Sequence, residues 1–250
     1  MQPPRLLALG DGAWTLEFGQ TIDPDTHGRV MGLAQHLLQL LAAPPEPMQG
    51  VTDVVPTFRS LTVHYDPGSA QAHALGPWLL SLATEGVQHA EPTVRHWCLP
   101  VCFDDEWAPD LPRVAALTGL RREAVIERLL GTELRVYQIG FQPGFPYMGD
   151  LPSELAVPRW PSPRQTLPAR SLAIAGGLCA VYPWKSPGGW NLLGRTPVVL
   201  FDPGQQQQPA MLAAGDTVRW MPIDRAMHDR LAADIAHGLP RSHFLARERA

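Results

Sequence analysis

Proline and glycine constrain this chain more than any other feature: 27 prolines and 22 glycines stand in 250 residues, about one position in five. They are densest from Pro143 to Gly204. Proline lacks an N–H, breaks the interior of a helix and interrupts the ladder of a central strand. The second half must therefore be built from short strands joined by shaped turns. A long helical bundle is excluded there.

The first half is patterned differently. Trp14, Leu16 and Phe18 alternate with period two, the mark of a half-buried strand. Asp23-Pro24-Asp25 supplies an N-cap and a proline at the first helical position. Val30, Leu33, Ala34, Leu37, Leu38 and Leu41 then recur at helical spacing until the Pro44-Pro45-Glu46-Pro47 cluster ends the run. Strands are expected over 51–55 and 60–65, and a second helix over 70–85. Residues 1–92 are thus expected to form a small α+β domain with helices over one face of a sheet. Beyond it the pattern predicts a strand over 93–103, helices over 110–117 and 121–130, then strands over 135–139, 172–175, 180–182, 198–201 and 217–221. Short strands with Gly/Pro turns predict a closed or sandwich-like β domain over residues 93–250.

A hydrophobic content of 45% suffices for one large core or two modest ones. Charged residues make up 18%, below the usual share of about 25%, which suggests surface hidden against a partner. The net charge of -4 provides no basic field for nucleic acid or an anionic membrane. Only a short apolar stretch, 6–9, lies near the N-terminus, and no later run approaches a membrane span of about 18 residues, so a cytoplasmic protein is expected. Three cysteines, Cys98, Cys102 and Cys179, argue against a disulfide framework.

Two segments concentrate unusual chemistry. In 140–149, glycine and proline alternate with Phe141, Phe145 and Tyr147, giving a stiff loop with flat apolar faces near bare backbone. In 185–196, the adjacent Gly188 and Gly189 can turn successive N–H groups inward as an anion-binding nest, with Lys185, Asn191 and Arg195 close in sequence. A tight turn anchored by Trp190 is the competing reading, and with Arg164 between the two segments both stay open. Lys185-Ser186 resembles the end of a phosphate-binding loop, but Trp184 and Cys179 stand where its glycines are required, so no Walker-type loop is present. A Gly-x-Ser-x-Gly elbow is also missing. His96, Cys98 and Cys102 match no common zinc spacing, and Pro100 disturbs their strand; they are expected to be core-facing residues, with no metal assigned. Cys179 is expected to be a buried inert thiol, and histidines such as His36, His228, His237 and His243 are expected mostly at the surface.

The segments 140–149, Pro163-Arg164, 174–177, 186–190 and 194–197, with Gly10-Asp11, 54–56 and 60–67 near the N-terminus, resemble the PxpB family, the B subunits of 5-oxoprolinase. That family includes the kinase inhibitor KipI and proteins called allophanate hydrolase subunit 1. The resemblance runs from about residue 6 to 225 and implies an α/β N-terminal domain followed by a cyclophilin-like β-barrel of the carboxyltransferase type. It implies two partner proteins in a hetero-oligomer, one KipA-like (PxpC) and one LamB/YcsF-like, without which the chain is inactive. It also implies ATP, shared with the PxpC-like partner and accompanied by Mg, that phosphorylates the amide oxygen of 5-oxoproline before hydrolysis to glutamate. A lactam carbonyl is a poor electrophile, and phosphoryl transfer to it needs positioning and positive charge. On this resemblance Arg195, Arg164 and Lys185 are the catalytic cations, and the Gly188 and Gly189 amides cradle an oxyanion. Phe145, Tyr147 and Trp190 exclude water; Phe141, Gly144, Tyr182, Asn191 and Thr196 complete the substrate-binding set. The chain departs from the family at Arg170, where glycine is common, at Leu178 and Cys179, where glutamine and threonine are common, and at Asn191, where glutamine is frequent. The resemblance also admits two other roles: a KipI-like inhibitor of a sensor histidine kinase, and a carboxyltransferase-type component of biotin-dependent urea or allophanate metabolism.

Overall fold

The structure is a computed structural model that describes residues 3–68, 72–86 and 94–246. The chain divides into two compact units, Met1–Thr93 and Val94–Ala250.

The first unit is an antiparallel sheet of β1 (Arg5–Ala8), β2 (Ala13–Glu17), β3 (Val51–Pro56) and β4 (Ser60–Tyr65), in the order β1-β2-β4-β3. Two helices pack on it, α1 (Pro24–Leu40) and α2 (Ala72–Glu85). The start of α1 follows from its cap: the Asp23 carboxylate accepts a hydrogen bond from the Thr26 amide at 2.9 Å. Val30, Leu33, Ala34 and Leu37 are buried against Leu16, Leu61 and Val63, whereas Leu38 falls off that stripe and is exposed. Residues 70, 71 and 93, at the ends of two expected elements, lie outside the described residues.

The second unit is built on seven strands: β5 (His96–Val101), β6 (Leu134–Ile139), β7 (Pro146–Gly149), β9 (Ser171–Ala175), β10 (Leu178–Tyr182), β12 (Asn191–Arg195) and β13 (Thr217–Pro222). They form one sheet in the order β12-β9-β10-β7-β6-β13-β5. A side hairpin pairs β8 (Arg164–Leu167) with β11 (Ser186–Gly188). All pairings are antiparallel except that of β13 with β5. The two edge strands then meet. Just beyond β5, the Cys102 amide donates to the Arg195 carbonyl at 2.9 Å, and the Arg195 amide returns a bond of 2.9 Å to the Cys102 carbonyl. One bridge therefore turns an open sheet into a barrel. Gly194 permits it, because a Cβ there would stand 2.7 Å from the Cys102 carbonyl oxygen.

Helices α3 (Leu111–Thr118) and α4 (Arg122–Leu130) bury Leu111, Val114, Val125 and Leu129 in a core shared with Val101, Val136, Met148, Ile174 and Val181. Helix α5 (Arg225–Ala236) follows the last strand. Three expectations are corrected. Segment 198–201 is not a strand: Thr196 Oγ1 accepts the Val198 amide at 3.2 Å and turns the chain, leaving only a bridge between Phe201 and Ala210. His96 is exposed rather than core-facing, with Nδ1 2.8 Å from the Thr217 hydroxyl. His228 is buried rather than at the surface. Composition hides strand β7; Pro146 opens it, at a position where a missing N–H is tolerated.

Candidate functional site

The hairpin between β6 and β7 is tied by two bonds, Gly140 N to Phe145 O at 3.1 Å and Phe145 N to Gln142 O at 3.0 Å. Phe141 and Gly144 both adopt left-handed backbone, at φ 66° and 75°. For phenylalanine that conformation costs about 1 kcal/mol. The turn nevertheless leaves the Phe141 side chain 64% exposed, its ring 5.3 Å from Phe145.

Phe145 is buried and is the hub of an edge-to-face cluster: Tyr147 at 4.9 Å, Tyr182 at 5.2 Å and Trp190 at 6.0 Å, with Tyr147 and Trp190 also 6.0 Å apart. The sheet makes room for these rings with small side chains, Ala173 and Ala180, flanked by Leu167 and Leu192. The two segments singled out in the sequence, 45 residues apart at Phe145 and Trp190, thus converge on one aromatic surface. Cys179 is a neighbour of Ala180 but faces the opposite core with Val181, and burial pushes its thiol pKa up. Its exchange for a hydroxyl-bearing residue would not reach the aromatic cluster.

Burial also pushes the Tyr182 phenol up to about 12 from an ordinary value of 10.0. The folded chain holds this proton more tightly than the unfolded one. The resulting stability is fully present below pH 10 and drains away as pH rises through 12. In a near-ultraviolet titration of phenolate absorbance, Tyr182→Phe is expected to remove a late-titrating phenol while leaving any earlier transition in place. Loss of an early transition instead would place the Tyr182 hydroxyl in water.

Gly188 serves close packing, whereas a Cβ on Gly189 would make ordinary contacts, 3.4 Å from the Trp160 carbonyl oxygen and 3.7 Å from Pro163. Neither glycine has positive φ; Gly188 pairs with Arg164, and a Cβ on it would run into the Tyr182 hydroxyl and lie 2.6 Å from Leu167. The Gly189 carbonyl accepts the Trp160 amide at 2.7 Å. Neither glycine therefore supplies the left-handed residue that the alternating form of an anion nest uses.

The cations have three different surroundings. Arg164 grips Asp110 with both terminal nitrogens, at 2.9 and 2.5 Å, and the carboxylate, 2% exposed, also accepts the Leu192 amide at 2.7 Å. The Trp160 ring is approached by Arg164 at 5.2 Å and by Arg113 at 4.3 Å. Arg113 in turn donates to Asn191, whose amide reaches the Pro158 and Ile174 carbonyls, both at 3.1 Å. Lys185 is exposed next to exposed Trp184.

Arg195 sits at the barrel seam, its guanidinium 5.5 Å from the Trp107 ring and its Nε buried without an acceptor among the described residues. Trp107 is also approached by Arg225 at 3.9 Å and by His228 at 4.3 Å. Burial, and then the nearby arginines 170 and 195, push His228 down, against the opposing pull of Asp229, 3.1 Å away. The Thr196 amide donates to the Arg170 carbonyl at 3.0 Å.

The structure thus gathers Phe141, Phe145, Tyr147, Tyr182, Gly188 and Trp190 at one surface, Arg164 and Asn191 in a network with Asp110 and Arg113, and Arg195 and Thr196 beside Arg170. Sequence reasoning missed Asp110, Arg113, Trp160 and Trp107. Asp110 precedes a Leu-Pro helix start and so looks like a cap, yet its side chain makes no capping bond. Among the described residues no group of three or more metal-ligating side chains comes together, and no helix is long and apolar enough to cross a membrane.

The family model for the carboxyltransferase domain, subdomain C and D, matches residues 4–212. The chain is 37% identical to the B subunit of 5-oxoprolinase from Bacillus subtilis over 227 residues, covering 86% of this chain and 91% of that protein. It is 36% identical to the 5-oxoprolinase B subunit from Escherichia coli O157:H7, covering 89% and 97%. Among solved structures, TTHA0988 superposes with a TM-score of 0.71 at 35% identity over 85% of this chain, which spans only 40% of that longer one. The Kluyveromyces lactis urea carboxylase superposes with a TM-score of 0.74 over 92% of this chain and 23% of its own; at 18% identity this is a likeness of fold.

Proposed function

The chain belongs to the family of the carboxyltransferase domain, subdomain C and D, and from that premise we propose that it is the B subunit of an ATP-dependent 5-oxoprolinase, working with a PxpC-like and a LamB/YcsF-like partner. The similarity to two 5-oxoprolinase B subunits over nearly their whole lengths carries this reading. The site is compatible with it. Arg195 holds a buried guanidinium N–H with no acceptor among the described residues, a group that fits an oxyanion. Bound ATP, with Mg, supplies the phosphoryl group that activates the lactam carbonyl. The chain's own part is to place positive charge through Arg195 and Lys185, to orient the ring of the substrate, and to keep water away with Tyr147 and Trp190. Arg164 acts by position: locked to Asp110, it holds β8, and through it β11, beside the aromatic surface. Phe141 and Trp184, exposed at 64% and 43%, suit burial against the PxpC-like partner.

The test is ADP release that depends on 5-oxoproline, measured on the chain co-purified with both partners. Arg195→Ala is expected to lower turnover about 100-fold, the effect of removing one electrostatic donor, while the melting temperature stays within about 2 °C. Unchanged turnover would remove Arg195 from the site. A complex without turnover that instead inhibits a sensor histidine kinase would select the regulator.

A further inference from the structure

A cavity of about 770 Å³ opens in the second unit between α5, the segment following Pro197 and the stretch 238–244. That is within the range of small-molecule sites. Arg170 and Arg241 line it on the polar side, and Ile235, Leu239 and Phe244 on the apolar side. Neither arginine has a carboxylate within ion-pair distance among the described residues. The one acid in the lining, Asp202, accepts the Gly204 amide of its own turn at 2.9 Å. Two arginines against one aspartate leave the lining with a net charge of +1.

Arg170 is held there at a cost. Its backbone is left-handed, at φ 66°, a conformation that favours glycine. Burial, and then the neighbouring Arg195, push its guanidinium pKa below the ordinary value. In return its side chain makes one hydrogen bond among the described residues, Nη1 to the Pro197 carbonyl at 3.1 Å, and Nε and Nη2 have no acceptor there. A glycine at this position would avoid both the strain and the repulsion. Arg241 is pre-set by its donations to the Gln208 and Pro209 carbonyls at 2.6 and 2.9 Å. On α5, Ala236 and Ala232 line the cavity, and His228 continues the same helical face to Trp107. Arg195, close enough to act on the Arg170 guanidinium, extends the positive charge beyond the cavity toward Trp107.

We propose that this cavity binds an organic phosphate of nucleotide size, with phosphate oxygens taken by Arg170 and Arg241 and the apolar body against Ile235, Leu239 and Phe244. Guanidinium forks match phosphate oxygens in pairs, and the site would offset the strain and repulsion at Arg170 when filled. The inference rests on the 5-oxoprolinase reading only for the choice of an adenine nucleotide as probe.

Titration calorimetry of ADP into the isolated chain at low salt tests it. ADP is expected to bind, more tightly than pyrophosphate or adenosine alone. Arg170→Gly is expected to weaken ADP about 30-fold, the loss of charge-assisted hydrogen bonds, with a melting temperature equal to or above that of the parent. Arg170→Lys should fall between the two. No ADP binding, equal binding by Arg170→Gly, or an Arg170→Gly chain that melts well below the parent would each overturn the site, the last by making Arg170 a structural residue. ADP binding without turnover in the full complex would sink the proposed function alone; turnover without ADP binding here would sink this site alone.

Discussion

Gly194→Val is expected to lower the stability of the second unit by about 3 kcal/mol, and its melting midpoint by about 6–12 °C. The branched side chain would have to occupy space held by the Cys102 carbonyl, 2.7 Å from the added Cβ, and by Val101, 3.0 Å away. Those atoms are main chain and close-packed core, so they cannot swing aside as an exposed side chain would. Relief comes from parting the Cys102–Arg195 bridge, with the loss of two buried backbone hydrogen bonds worth about 1 kcal/mol each. Amide exchange reports this directly: protection at Cys102 and Arg195 should collapse while that across β9 and β10 persists. A variant that melts with the parent and keeps both amides protected would show that the seam tolerates displacement.

Asp216→Ala is expected to cost about 4 kcal/mol, the range for breaking a buried, hydrogen-bonded ion pair. The Asp216 carboxylate accepts from Arg95 Nε at 3.0 Å and Nη2 at 2.7 Å, from Trp97 Nε1 at 3.0 Å and from the Ala213 amide at 2.9 Å. It is 3% exposed, so its loss strands the donors of three residues where water reaches poorly. Asp216→Asn retains one acceptor oxygen and should recover part of the loss. Denaturant titration with matched slopes provides the measurement, and a change below about 1 kcal/mol for the alanine would mean that water replaces the carboxylate.

Local signals were legible in the sequence and distant partnerships were not. Helix α1 could be read because its cap, its proline and its apolar stripe all lie within a few turns. Strand β4 alternates cleanly because one face is buried. Composition singled out the two Gly/Pro segments, whereas the meeting of Phe145 with Trp190, 45 residues on, was implied only by the family resemblance. The partner of Arg164, in contrast, lies 54 residues away in Asp110, and no spacing rule links them. A glycine signals either unusual φ or lack of room, and sequence does not separate these; at Gly188 it is room. Strands β7, β11 and β12 were obscured by prolines and glycines at positions where an edge, a first residue or a bulge accommodates them.

The parallel pairing of β13 with β5 has a consequence for synthesis. His96 and Thr217, joined side chain to side chain, are 121 residues apart in the chain. At the usual pace of translation β5 emerges about ten seconds before its neighbour exists. During that interval one edge of the nascent sheet lacks its partner, and non-local pairings of this kind fold slowly. The ribosome thus delivers this domain as an incomplete ribbon whose last strand is also its keystone, and a nascent chain stalled before residue 217 would be the species that needs a chaperone.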